Sequence, residues 1–191
     1  MAINYKQCIN CESKNTLNLL YGMPTDDASK QAKEGKFKLG GCCVIVGGPE
    51  YCCNVCESEW NKEQAIDAAY EKIIGLNAYV GGFFGASYNV DLDLISGSAA
   101  WSHWENGEEV ASECKALKET TVKKLIEELK IINFLNWKRE YIEPGVLDGT
   151  SWSVELIREG RNLKRSGANK FPEEWDDFCK LVRRMTGKRF S

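Results

Sequence analysis

The chain has 191 residues, 43% of them hydrophobic and 28% charged, with a formal net charge of −3. Such a composition belongs to an ordinary globular protein of one or two domains and argues against a dedicated nucleic-acid binder, which gathers basic residues. No apolar run approaches the roughly 20 residues of a membrane span, and Met-Ala-Ile-Asn-Tyr-Lys-Gln at the start lacks the apolar core of an export signal, so a cytoplasmic protein without membrane contact is expected.

Residues 1–60 carry most of the nine cysteines. An odd count and no export signal favour reduced thiols and a metal over a disulfide scaffold. Cys8-Ile9-Asn10-Cys11 and Cys53-Asn54-Val55-Cys56 are two Cys-x2-Cys knuckles. A two-residue gap lets both thiolates of a knuckle turn toward one point, and two knuckles supply the four sulfurs of a structural zinc site. With Cys8, Cys11, Cys53 and Cys56 as ligands, no position is left for water or substrate, so the expected cofactor is a structural Zn2+ and not a catalytic one. An iron–sulfur cluster uses the same ligands, but knuckles so far apart fit a ribbon better. Cys42, Cys43 and Cys52 are surplus; Cys52 competes with Cys53, yet only Cys53 stands two residues from Cys56. Between the knuckles, 17–21 reads as a strand, 26–36 as a short polar helix ending at Gly35, and 39–46 as a second strand with a glycine bend.

The order Cys-x2-Cys, Tyr21-Gly22-Met23-Pro24, Leu39-Gly40-Gly41-Cys42, Cys53-x2-Cys56 and Glu59-Trp60 resembles a group of short bacterial zinc-ribbon proteins of unknown function. The likeness covers the first third of the chain and implies zinc on Cys8, Cys11, Cys53 and Cys56, with no reaction.

Residues 61–75 read as a helix with Ile66, Ala69, Tyr70, Ile73 and Ile74 at helical spacing and Gly75 as its stop. Residues 76–87, with Gly81, Gly82 and Gly85, read as a connection in which Phe83-Phe84 packs on a neighbour. The predicted domains are therefore a ribbon over 1–60, a helix and glycine-rich linker over 61–85, and an α+β domain over 86–191.

From Ser87 the period becomes two: Tyr88, Val90, Leu92 and Leu94 alternate with Asn89, Asp91 and Asp93, a half-buried strand. Strands over 100–105 and 108–114 flank Asn106-Gly107, a strong hairpin signal. Val122, Leu125, Ile126, Leu129 and Ile132 stripe a helix over 120–133. Trp152, Val154 and Leu156 mark another strand, 162–166 a short one, and Pro172 opens a last helix that ends at Gly187. Cys114 and Cys179 are expected as small buried residues. Ser87-Tyr88-Asn89-Val90-Asp91-Leu92 matches Ser151-Trp152-Ser153-Val154-Glu155-Leu156 in type at each position. Either a strand-strand-helix unit is used twice or two alternating strands coincide. The expected fold class is α+β, a zinc ribbon plus a mostly antiparallel sheet with two helices on one face. Asp148-Gly149-Thr150-Ser151-Trp152 and the stretch from Gly167 to Trp175 also resemble uncharacterised bacterial and phage-associated sequences, which implies a regulatory or host–phage role but no activity.

Other chemistry competes with simpler readings. His103, the single histidine, could pair with Glu105, Asp91 or Cys114 in catalysis, or stack between Trp101 and Trp104. Asp91 and Asp93 share a strand face about 7 Å apart, as a carboxylate pair or a solvated surface. From Arg161 onward nine basic residues face four acidic ones. Lys164, Arg165, Arg183 and Arg184 could contact nucleic-acid phosphates, or some could simply complement a helix C-terminus. Of three readings — protein binding or regulation, nucleic-acid binding by the basic face, an enzyme with a carboxylate and histidine — the first is preferred.

Overall fold

A computed structural model describes residues 3–82, 85–146 and 148–191. The reading of Phe83-Phe84 lies outside the described residues. The chain divides into two compact units, with the boundary after Ala69. The class is α+β, as expected.

In the first unit, strands β1 (Thr16–Leu20), β2 (Lys38–Leu39), β3 (Tyr51–Cys53) and β4 (Glu59–Trp60) form a sheet in the order β2-β1-β3-β4. Helix α1 (Asp26–Lys33) starts where the Thr25 hydroxyl accepts from the Ala28 amide at 3.2 Å, with Asp26 and Asp27 at its positive end. The strand expected over 39–46 is corrected: only Lys38–Leu39 pairs, parallel to β1. Gly40 lies so close to Tyr21 that a Cβ would sit 2.6 Å from its ring, and Gly41, at φ +103°, turns the chain away. Residues 42–46 then run exposed with no strand partner.

Helix α2 (Lys62–Glu71) opens with a reciprocal cap. Asn61 Oδ1 accepts from the Gln64 amide and Gln64 Oε1 from the Asn61 amide, both at 2.9 Å. The helix does not reach Ile73 and Ile74. Those residues begin strand β5 (Ile73–Gly82), so the expected linker is corrected to a strand. Its glycines are not breakers. A Cβ on Gly75 would meet the Leu92 carbonyl at 2.9 Å, and one on Gly81 would meet Ser87 Cβ at 2.4 Å. Both glycines allow neighbouring backbone to close in.

The second unit holds a seven-stranded sheet ordered β8-β7-β6-β5-β10-β11-β9. Its further strands are β6 (Ala86–Asp93), β7 (Ser98–Glu105), β8 (Glu108–Ala116), β9 (Glu140–Ile142), β10 (Thr150–Arg158) and β11 (Leu163–Ala168). All neighbours are antiparallel except β11 and β9. Asn106 and Gly107 both take positive φ at the β7–β8 hairpin, as that turn requires. β5 lies between β6 and β10. Each matched pair from the two similar hexapeptides meets the same β5 residue. Ser87 and Ser151 oppose Gly81, Val90 and Val154 oppose Ala78, and Leu92 and Leu156 oppose Leu76.

One sheet face is the core. Leu76, Val80, Val90, Leu92, Trp152, Val154 and Leu156 are buried there. Helices α3 (Glu119–Ile131) and α4 (Trp175–Thr186) contact each other, and Trp175 of α4 lies 4.6 Å from Trp152 between ring centroids. Pro172 precedes α4 by one turn, its carbonyl accepting from the Trp175 amide. Gly187, at φ +73°, ends the helix as expected. Cys179 is buried as expected, but Cys114 is exposed on β8. Cys114 opposes Ala100, on the face away from the core, so its apolar character did not decide its place.

Candidate metal centre

The two knuckles are built alike. The Cys8 amide donates to the Ser13 carbonyl and the Cys53 amide to the Ser58 carbonyl, each at 2.9 Å. The Glu12 amide donates to the Cys8 carbonyl and the Glu57 amide to the Cys53 carbonyl, each at 3.1 Å. Glu12 and Glu57 take φ of 57° and 60°, the left-handed turn that folds each loop back. The sequence carries this likeness as Cys-x2-Cys-Glu-Ser written twice, at 8–13 and 53–58. The Glu-Ser extension, not only the cysteine spacing, marks the two loops as alike.

These loops bring Cys8, Cys11, Cys53 and Cys56 together, with all four Sγ atoms within 4.8 Å of one another. Cys8 and Cys56 Sγ are 3.5 Å apart, as are Cys11 and Cys53 Sγ. Four thiolates at about 2.3 Å from one tetrahedral ion stand roughly 3.8 Å from each other. The cluster therefore has the dimensions to hold a metal ion.

Backbone amides point at the sulfurs. Asn10 and Cys11 amides donate to Cys8 Sγ, and the Val55 amide to Cys53 Sγ, all at 3.4 Å. The Asn10 side-chain amide reaches Cys56 Sγ at 3.8 Å, and the Ser58 hydroxyl lies 3.3 Å from it. Such donors offset the negative charge that four thiolates leave on a divalent ion. The Ser58 hydroxyl and amide, then the Cys11 thiol, hold the Cys56 thiol down at about 6. Against a lowering contact from the Ser13 backbone, the Cys56 sulfur, desolvation and the Cys53 and Cys8 sulfurs push the Cys11 thiol up to about 12. Four thiols this close do not ionise together unaided; a cation among them removes the conflict.

The support beneath is apolar. Trp60 is fully buried, stacks on Tyr51 at 5.9 Å and donates from Nε1 to the Tyr5 carbonyl at 2.9 Å. It packs in one cluster with Cys8, Tyr51, Cys53 and Ala65. Cys52 stays outside the sulfur cluster, paired across the ladder with Leu17 and Glu59, and burial pushes its thiol up.

The other sequence candidates do not converge. His103 opposes Tyr88 and Asp91 opposes Ala100, so the two side chains leave opposite faces of the sheet. Cys114 shares the Asp91 face. Of the three proposed catalytic partners, Glu105 is the one near the imidazole, its Oε1 3.4 Å from His103 Nε2. The ring stacks on Tyr88 at 4.9 Å and tilts against Trp101 at 6.2 Å. Asp93 caps a turn, accepting from the Ile95 and Ser96 amides. These amides and the Ser96 hydroxyl hold its carboxyl below the usual range.

The four basic candidates do not form one patch, although Arg183 and Arg184 are both exposed in the last turn of α4. Arg165 is only 7% exposed and sits on the core side with Val154, donating from Nη2 to the Leu135 carbonyl at 3.2 Å. Lys164 stands on the opposite face. Arg184 is paired with Glu128 of α3. Arg165 is therefore corrected from a phosphate contact to a core residue.

The face away from the helices is open and mixes polar with apolar side chains. A trough of about 550 Å³ crosses it, lined by Asn77, Tyr79, Asp91, Ser102, Ser153, Glu155 and others. The Asn77 amide, with its nitrogen turned toward them, donates to Asp91 Oδ2 and the Leu76 carbonyl, both at 3.2 Å.

No protein-family model matches the sequence, and no curated protein is similar to it. Among the described residues no helix is long and apolar enough to cross a membrane.

Proposed function

We propose that the chain is a zinc-binding, non-catalytic recognition protein whose first unit is a structural zinc ribbon, as its likeness to bacterial zinc-ribbon proteins implies. The observation that carries this is the four-sulfur cluster of Cys8, Cys11, Cys53 and Cys56. Four thiolates with no fifth donor suit tetrahedral zinc and leave no place for a substrate. Nine free cysteines fit a reducing compartment such as the cytoplasm. Elemental analysis of purified chain tests the metal. One zinc per chain is expected, falling to a small fraction in Cys11→Ser and Cys56→Ser.

Binding is favoured over catalysis because His103 and Asp91 leave opposite faces of the sheet. Protein is favoured over nucleic acid because Arg165 is buried and Arg184 is paired. The open trough is the recognition face of this reading, where small and polar side chains leave room for a partner surface. A partner recovered with the native chain and lost with Asp91→Arg plus Ser153→Arg supports the reading. Heparin retention that falls in Arg183→Ala plus Arg184→Ala favours nucleic acid instead.

A further inference from the structure

Residues 41–47 form the most exposed apolar segment of the first unit. Val44, Ile45 and Val46 are 76%, 66% and 100% exposed. Leaving three such side chains in water forgoes burial that would stabilise the unit. Beside them stand Cys42 and Cys43, both exposed, with Sγ atoms 3.7 Å apart.

The loop is held at both ends. The Gly22 amide donates to the Gly41 carbonyl at 2.9 Å, the Gly40 amide to the Leu20 carbonyl at 2.8 Å, and Asn61 Nδ2 to the Gly47 carbonyl at 2.7 Å. Gly41 and Gly47 take φ of +103° and +73°, so the chain turns out and back at fixed points. The thiol pair is thereby presented on a tethered tip.

We propose that Cys42 and Cys43 form a second thiol site, a two-sulfur chelate for a monosubstituted trivalent arsenical. The donor count and the 3.7 Å between the sulfurs together select the class. Among the described residues no third His, Cys, Asp or Glu donor joins the pair. Zinc requires four ligands and calcium six to eight, so neither is satisfied here. Thiolates select soft ions, and arsenic in a monosubstituted arsenous compound keeps one bond to carbon and takes two to sulfur. The organic substituent then lies against Val44, Ile45 and Val46. With an arylarsine oxide the exchange balances without an oxidant. Two S–H bonds and the arsenic–oxygen bond break, two arsenic–sulfur bonds form, and one water leaves with both protons. Neither thiol belongs to the cluster of Cys8, Cys11, Cys53 and Cys56, and the test rests on that cluster being filled by its metal.

The probe is phenylarsine oxide, titrated into the full, metal-loaded chain and read by native mass spectrometry. One phenylarsenic per chain is expected, with the metal retained. Cys42→Ser and Cys43→Ser should each weaken binding by about a hundred-fold or more, because the second thiol then no longer acts at high effective concentration. Cys114→Ser should change nothing. Ile45→Ser plus Val46→Ser should weaken phenylarsine oxide binding while leaving inorganic arsenite unaffected. A free peptide of residues 40–48 should bind more weakly than the chain. Equal binding by the single-thiol variants, loss of metal in step with adduct formation, or a peptide as tight as the chain would each overturn the proposal.

Discussion

Cys8 and Cys56 stand 48 positions apart in the chain, yet their sulfurs lie 3.5 Å from each other. Unaided, thiols at that distance gain little from proximity, and the apolar cluster around Trp60 is small. The ion is expected to supply the closing energy. Structural zinc contributes on the order of 10–16 kcal/mol in finger peptides at pH 7. Chelation, or Cys53→Ser, should unfold residues 3–69 while the second unit stays folded. Hydrogen exchange resolved along the chain checks this: amides of β1 and β3 lose protection and those of β5 and β10 keep it.

Proton linkage gives a second expectation. The Cys56 value of about 6 lies below the ordinary thiol value of 9. In the folded ribbon its contribution is present above about 9 and is lost as pH falls through about 6. Cys11, pushed up to about 12, works in the opposite sense, favouring the fold below 9 and ceasing to do so as pH rises through about 12. Because the metal-free ribbon is expected to be unfolded, with its thiols at the ordinary value of 9, zinc uptake should expel more protons at pH 7 than at pH 9. Calorimetric titration with zinc in two buffers of different ionisation enthalpy measures the number released.

Gly167 tests the packing of the second unit. A Cβ there would sit 2.3 Å from Trp152 Nε1 and 2.6 Å from the Lys170 carbonyl. Those two groups are already hydrogen-bonded to each other at 2.8 Å. Gly167→Ala should destabilise the unit by about 1–3 kcal/mol, the usual cost of overpacking. Urea unfolding followed by tryptophan fluorescence reports it.

Much of this architecture could be read from the residues, and the misses share a cause. The likeness of Ser87–Leu92 to Ser151–Leu156 has a counterpart in the fold, where the two segments pair with opposite edges of β5 in the same register. The periodicity of β5 suggests a helix end and a linker. Its glycines look like punctuation in one dimension, whereas in space they are contact points for Leu92 and Ser87. The knuckles were legible because metal geometry fixes their spacing locally. The burial of Arg165 and the exposure of Cys114 were not, because alternation along a strand gives two faces without saying which one the helices cover.

Arg165 gives the fourth expectation. It is buried, and its guanidinium satisfies the Leu135 carbonyl. Arg165→Ala should cost roughly 1–3 kcal/mol by leaving that carbonyl unpaired. Arg184→Ala, which removes an exposed pair with Glu128, should cost under about 1 kcal/mol. Thermal melts of the two variants separate a core role from a surface one.

X-ray absorption at the zinc edge, on chain purified without added metal, bears most directly on the ribbon. One zinc per chain surrounded by four sulfurs at about 2.3 Å is the predicted result. A chain without stoichiometric metal, a shell containing nitrogen or oxygen, or Cys8, Cys11, Cys53 and Cys56 joined as cystines would contradict it.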